Sequence, residues 1–104
     1  MAGGKPRTDG DAALLTERKT KTPKQYRVIL YNDDYTTMEF VVHILETVFR
    51  RSPAEAMQIM LKVHKEGRGV AGIYASEIAE TKILSVHEMA KAEGYPLRAA
   101  MEEA

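Results

Sequence analysis

The feature that most constrains the fold of this chain is a change of apolar periodicity within residues 26–49. Tyr26, Val28 and Leu30 alternate with the residues between them, and a period of two is typical of a β-strand. From Met38 onward the apolar side chains recur at helical spacing instead. A strand followed closely by an amphipathic helix predicts a domain that contains both kinds of element.

Two helix-capping patterns predict where the first two helices begin. Thr36 followed by Glu39 predicts a capping box, in which the two side chains satisfy free backbone N–H groups at the start of a helix over residues 37–50. The segment 52–55, with the sequence SPAE, repeats this signal and adds a proline suited to the first helical position. The second helix is therefore expected to begin there and to end near Gly67.

The remaining elements follow from shorter patterns. Residues 70–74 are β-prone, Ser76 is predicted to cap a third helix, and Gly94 with Pro96 ends that helix. Residues 97–101 are predicted to form a last edge strand. The order β-α-α-β-α-β predicts an α+β fold, with a small antiparallel three-stranded sheet covered on one side by three helices.

The first 23 residues differ in composition from the rest of the chain. They are rich in Gly, Thr, Lys and Asp, and all seven aromatic residues of the protein follow Pro23. Segments of this composition cannot bury enough apolar surface to offset the entropy of folding. We therefore predict a flexible arm over residues 1–23 and one folded domain over residues 24–104.

Charge and composition exclude several classes of partner. Residues 1–24 carry six Lys and Arg against three acidic residues, but the formal net charge of the 104-residue chain is zero. A neutral chain has no global field that would attract nucleic acid or an anionic membrane, and no apolar run has the length of a membrane span. The chain contains no cysteine, which excludes disulfides and thiolate metal sites. These features predict a soluble intracellular protein, and we further expect it to be a monomer in the cytoplasm.

Asn32, Asp33 and Asp34 come directly after the first strand and shortly before the first helix. In one interpretation they form only a turn, because Asn and Asp side chains bond their own backbone and suit the start of a helix. In the other interpretation they capture a cation. Two carboxylates and an amide oxygen can accept hydrogen bonds from a ligand with several N–H donors, such as an ammonium group.

His64, near the end of the second helix, also allows two interpretations. Its imidazole can interact with the last carbonyls of the helix, or it can accept a hydrogen bond at the end of an apolar patch that contains Met60 and Val63. Methionines such as Met38 and Met60 usually belong to a core, but they also suit apolar pockets that adapt to guests of different shape.

Two enzymatic alternatives, a metal site and an acid–base site, would both use Asp33, Asp34 and His64. The spacing favours neither, because His43 and His87 have no histidine partner at i+4 and no activated nucleophile is evident. We expect a protein without a cofactor and without enzymatic activity. A titration with peptides can separate these alternatives.

Three blocks of the sequence resemble one known family. They are RVILYNDDYTTMEFVVHIL over residues 27–45, AMQIMLKVHKEGRGVAGIYASEIAETK over residues 56–82, and YPLRAAMEEA over residues 95–104. In this order they are similar to the ClpS family, whose members are adaptors that deliver N-degron substrates to the Clp unfoldase–protease. The resemblance extends over residues 24–104.

The resemblance implies a binding site for protein N-termini that begin with Phe, Tyr, Trp or Leu. The free α-amino group would be bound by Asn32, Asp34 and His64, the acid acting partly through water. Met38 would act as a gatekeeper against β-branched first residues. The pocket for the first side chain would comprise Leu30, Tyr31, Thr36, Met38, Val41, Met60, Val63 and Leu97.

The resemblance also implies how the adaptor meets its protease. Glu77 and Lys82 fall on the family's docking surface for the N-terminal domain of a ClpA-type unfoldase, and residues 1–23 match its flexible extension. Two positions depart from the family pattern, since Thr37 stands where proline is usual and Tyr31 where smaller aliphatic residues are common. A protein-interaction module of the same fold without amine specificity is the third alternative.

Overall fold

A computed structural model describes residues 23–104, and these residues form six elements in the predicted order. The predicted arm over residues 1–23 lies outside the described part except for Pro23. Within residues 23–104 no helix is both long and apolar enough to cross a membrane. The elements are β1 (Gln25–Tyr31), α1 (Met38–Thr47), α2 (Pro53–Glu66), β2 (Arg68–Ala75), α3 (Ser76–Glu93) and β3 (Arg98–Glu103).

The three strands form an antiparallel sheet in the order β2-β1-β3, so β1 is the central strand. Tyr31, the last residue of β1, pairs with Arg68 on one side and with Arg98 on the other. The loop that leaves β1 therefore starts beside the first residue of β2 and the first residue of β3. This register decides which residues surround the loop.

The two faces of the sheet have different surroundings. Val28 and Leu30 of β1 face the helices and belong to one buried apolar cluster with side chains of all three helices. On the opposite face the Glu102 carboxylate accepts from Arg27 at 3.3 Å and from Arg68 at 3.4 Å, which ties the three strands together. The fold is the predicted α+β arrangement, with the helices on one side of the sheet.

The start of α1 differs by one residue from the prediction. The N-cap is Thr37, whose hydroxyl oxygen accepts from the Phe40 N–H at 3.1 Å, and not Thr36. Thr36 instead donates its hydroxyl hydrogen to the Asp33 carboxylate at 2.7 Å. The predicted capping box between Thr36 and Glu39 is therefore wrong, because the turn built by Asp33 uses the Thr36 side chain first.

Two other predicted helix limits are also wrong. The first helix ends at Thr47 rather than at residue 50, since Arg50 lies at a φ of 56°, in the left-handed region where a helix cannot continue. Ser76 is the first residue of α3 rather than its cap, and the cap position is Ala75, which offers no side-chain acceptor. Ala75 keeps an extended backbone, with φ −61° and ψ 156°, as the last residue of β2, so the helical backbone begins at Ser76 itself.

The predicted limits of α2 are confirmed. Ser52 and Glu55 form a reciprocal capping box, and Gly67 ends the helix at a φ of 91°. Gly69 follows in β2, where an added Cβ would lie 2.9 Å from a methyl carbon of Val63. A short connection and a small residue therefore hold the end of α2 against the sheet.

Candidate functional site

A surface groove of about 480 Å³ lies between the β1–α1 loop, the start of α1 and the C-terminal half of α2. Its lining combines a loop rich in polar groups with apolar side chains of the two helices. The lining residues are Asn32, Asp33, Asp34, Tyr35, Thr36, Thr37, Met38, Glu39, Val41, Met60, Val63 and His64.

The apolar part of the groove has a buried floor and an exposed rim. Val41, Met60 and Val63 are buried members of the main core, so the packing of the whole domain holds their positions. Met38, in the first turn of α1, is 42% exposed and lines the same groove. A flexible thioether at the edge of a rigid apolar surface can adjust to the shape of a guest side chain.

The polar part of the groove contains Asn32, Asp34 and His64, which are all exposed. These residues come from two distant segments, and one backbone hydrogen bond joins the segments. The Asn32 N–H donates to the Gly67 carbonyl at 2.9 Å, so the start of the loop is attached to the end of α2. His64, one turn before that end, therefore faces the same groove as the loop.

Asp33 has a different role from its neighbour Asp34. Its Oδ1 accepts from the backbone N–H groups of Tyr35 at 2.8 Å and Thr36 at 2.7 Å, while Oδ2 accepts from the Thr36 hydroxyl. Partial burial acts to raise the pKa of Asp33, but these hydrogen bonds outweigh it and hold the pKa below its usual value. The predicted turn role of Asp33 is confirmed.

The arrangement suits a ligand that carries a cation next to an apolar group. An α-ammonium has three N–H donors, and an amide oxygen, a carboxylate and an imidazole nitrogen are acceptors for them. Since Asp33 is committed to the turn, Asp34 is the carboxylate of this loop that is left for a ligand. Among residues 23–104 no three His, Asp or Glu side chains are grouped closely enough to hold a metal ion.

Three residues that the sequence analysis assigned to the pocket do not line this groove. Leu30 and Leu97 are buried in the main apolar core, which the sheet and the three helices form together. Tyr31 lies next to the groove and borders a smaller cleft, with the guanidinium carbon of Arg98 5.1 Å from its ring centroid. Thr36, Met38, Val41, Met60 and Val63 are the predicted pocket residues that line the groove.

Glu77 and Lys82 lie on α3, away from the groove. Glu77 is exposed in the first turn of the helix. The Lys82 ammonium donates to the Val48 carbonyl at 2.8 Å and lies 5.1 Å from the centroid of the Tyr74 ring. Lys82 therefore has a contact within the fold, joining α3 to the end of α1.

Sequence reasoning missed three lining residues, Tyr35, Thr37 and Glu39. Thr37 and Glu39 were considered only as parts of a helix start, and Tyr35 was not considered. An aromatic residue between an acidic pair and a helix cap, outside the periodicity of either neighbouring element, was the signal that could have identified Tyr35. Its 76% exposure is high for a side chain of this size.

Comparisons with known proteins agree on one family. Residues 21–100 match the family model described as "ATP-dependent Clp protease adaptor protein ClpS". A ClpS adapter protein of Oleidesulfovibrio alaskensis is 52% identical over 103 residues, which cover 99% of both chains. A ClpS adapter protein of Nitratidesulfovibrio vulgaris is 57% identical over 93 residues, which cover 89% of this chain and 93% of the other.

A solved structure extends this similarity to the backbone. Agrobacterium tumefaciens ClpS2 bound to L-phenylalaninamide superposes with a TM-score of 0.76 at 39% sequence identity. The match covers 79% of this chain and 99% of that one. The ligand of that protein has a free amino group and a bulky apolar side chain, the two features for which the groove described above provides partners.

Proposed function

Because the chain belongs to the ClpS family of Clp protease adaptor proteins, we propose that its groove binds N-degron substrates for delivery to that protease. The substrate is a protein with a free α-amino group and a bulky hydrophobic first residue, Phe, Tyr, Trp or Leu. The observation that carries this proposal is the position of Asn32, Asp34 and His64 on the rim of a groove with a buried apolar floor. The protein acts as an adaptor and not as an enzyme.

The energetics require both halves of the site. Burying one Phe or Leu side chain contributes roughly 1.5–3 kcal/mol, which alone corresponds to very weak binding. Hydrogen bonds to a charged group contribute roughly 1.5–3 kcal/mol each. A first residue with the correct side chain and a free amine therefore binds much more tightly than either feature allows by itself.

Met38 sets the preference among first residues in this proposal. Its side chain stands at the rim, next to the buried Val41, so a guest side chain passes it on the way to the floor. A residue branched at Cβ places bulk at the rim, whereas Leu and Phe place it deeper. We therefore expect Leu to bind better than Ile or Val, and Met38→Ala to reduce this difference.

The experiment that tests the proposal is a titration with a Phe-initiated peptide and its N-acetylated twin. We expect acetylation to weaken binding by at least about tenfold, because it removes the charge and the donors that the polar rim recognises. His64→Ala should weaken binding of the free peptide and leave the acetylated one unchanged. Equal affinity of the two peptides would contradict the proposal and favour an interaction module without amine specificity.

Delivery requires a second contact, with the protease. We infer that α3 provides it through Glu77 and Lys82, which dock on the N-terminal domain of a ClpA-type unfoldase. Both residues lie away from the groove, so a substrate and the unfoldase can be bound at the same time. As an adaptor of the Clp protease, the protein would act in the cytoplasm.

A further inference from the structure

Tyr35 lies between two grooves. Its backbone N–H is held by Asp33 at 2.8 Å, but the residue is 76% exposed. Its side chain lines the groove of the proposed site and also a second groove on the other side of the loop. Tyrosine has an apolar ring and a polar hydroxyl, so Tyr35 provides a continuous contact surface between the two grooves for a bound polypeptide.

The second groove is shallow and open to solvent, with a volume of about 510 Å³. It is lined by Tyr35, by His87, Lys91 and Gly94 at the end of α3, and by Tyr95 and Pro96.

Packing and hydrogen bonding hold two of these side chains in place. The Tyr95 ring packs against Phe40 with 4.9 Å between ring centroids, and His87 Nε2 accepts from the Ala99 N–H at 3.0 Å. Tyr95 and His87 therefore form a part of the second groove that contacts within the fold hold in place.

We propose that the residues following the bound N-terminal residue cross Tyr35 and lie in this second groove, where Lys91 favours an acidic side chain. The inference rests on the proposed function, because it assigns a path to the same polypeptide beyond its first residue. The occupant is thus the extended, early part of the substrate itself.

The lining charges differ on the two sides of Tyr35. The first groove is lined by Asp33, Asp34 and Glu39, whereas Lys91 is the only Lys or Arg among the described residues that line the second. Lys91 is exposed and forms no ion pair within residues 23–104. An acidic side chain is therefore favoured only after the chain has passed Tyr35.

The reach of an extended chain indicates which substrate positions meet Lys91. Each residue advances the chain by about 3.3 Å, so crossing a tyrosine side chain takes roughly two residues after the first. The third to fifth residues of the substrate are thus the ones that enter the second groove. The rest of the substrate, after its fifth residue, extends into solvent.

The test is a set of Phe-initiated peptides with Glu, Gln or Lys at position three, four or five, titrated at low ionic strength where surface charges are least screened. We expect Glu to bind about two- to fivefold more tightly than Lys at one or more of these positions. Lys91→Glu should reverse that preference. Lys62→Glu, which makes the same charge change at an exposed position of α2 outside both grooves, should leave it intact.

Phenylalaninamide separates the two proposals, since it has no residue that can reach the second groove. Lys91→Glu should bind it as the unchanged protein does. If phenylalaninamide and the peptides bind, but the Glu-to-Lys ratio is unity or shifts equally in both variants, the path through the second groove is wrong and the proposed function stands. If neither phenylalaninamide nor free Phe-initiated peptides bind, the proposed function fails and this inference fails with it.

Discussion

At the scale of single residues, the two adjacent carboxylates of the β1–α1 loop have separate roles. Asp33 makes three hydrogen bonds within its own loop, and Asp34 is exposed on the rim of the groove. A substitution should therefore reduce mainly stability at Asp33 and mainly ligand affinity at Asp34.

We expect Asp33→Ala to lower the free energy of unfolding by about 1–2 kcal/mol, since it leaves two backbone N–H groups without their acceptor. Asp34→Ala should change stability by less than about 0.5 kcal/mol but weaken binding of a Phe-initiated peptide by about tenfold or more. Urea unfolding and a peptide titration on both variants measure the two effects. A reversed or identical pattern in the two variants would show that this division of roles is wrong.

The lowered pKa of Asp33 predicts how the loop responds to acid. A carboxyl whose pKa is lower in the folded than in the unfolded state stabilises the fold when it is ionised, above its unfolded pKa, which is about 3.8 for Asp33. This contribution is lost as the pH falls through the lower, folded pKa. Asp33→Asn should thus be less stable than the unchanged protein at pH 7, and the difference should shrink below about pH 4. Urea midpoints measured across this range check it, and a difference independent of pH would contradict it.

At the scale of secondary-structure elements, α3 has a structural contact on the same face that is proposed to dock on the unfoldase. Lys82 reaches the carbonyl of Val48, the residue that caps the end of α1. It also lies above the rings of Tyr74 and Phe49. The stem and the ammonium of Lys82 therefore join two helices and the sheet.

This contact predicts that the two proposed docking residues differ in their effect on the fold. Lys82→Ala should lower the free energy of unfolding by about 1–2 kcal/mol, because a charged hydrogen bond and a cation–π contact are lost together. Glu77→Ala, at an exposed position on the same helix, should leave stability nearly unchanged. Both should weaken binding to the isolated N-terminal domain of the unfoldase. Equal stability of the two variants in thermal unfolding would show that the Lys82 contact contributes nothing.

At the scale of the whole molecule, the groove exists because three elements meet at one corner of the sheet. Two contacts bring together the end of β1, the start of α1 and the end of α2. They are the strand pairing of Tyr31 with Arg68 and the backbone hydrogen bond from the Asn32 N–H to the Gly67 carbonyl. Gly69 allows this meeting, since any larger residue there would press on Val63 in the groove floor. The site therefore depends on the close packing of the β2 backbone against α2 at Gly69, a residue that does not itself line the groove.

We expect Gly69→Ala to destabilise the protein by about 1–3 kcal/mol and also to weaken peptide binding, because Val63 or the end of α2 must shift. Val86→Ala is the matched control, since Val86 is fully buried on α3 and is not part of the groove lining. It should cost a similar amount of stability by creating a cavity, yet leave the affinity of the folded protein unchanged. Equal binding by both variants in an assay well below their melting temperatures would contradict the coupling between Gly69 and the site.

The sequence by itself determined the elements of this protein and their order. Apolar periodicity, the SPAE capping box of α2 and the glycines that end α2 and α3 are local signals, and each acts through residues within a few positions of one another. Local chemistry made Asn32, Asp34 and His64 candidates for binding a cation, and the resemblance to the ClpS family supplied their joint role and the rest of the pocket. The turn role of Asp33 was also available from local chemistry.

Only the tertiary structure decided which of the predicted pocket residues line the groove and how its polar rim is assembled. The cap of α1 was instead decided locally, because the Thr36 hydroxyl donates a hydrogen bond to Asp33 and Thr37 accepts from the Phe40 N–H. Leu30, Leu97 and Val41 are all buried in the same core, but of these three only Val41 also lines the groove. Asn32 and His64 line the same groove because the pairing of β1 with β2 brings together two segments that are far apart in the chain. Pairing between distant strands leaves no short-range pattern in a sequence.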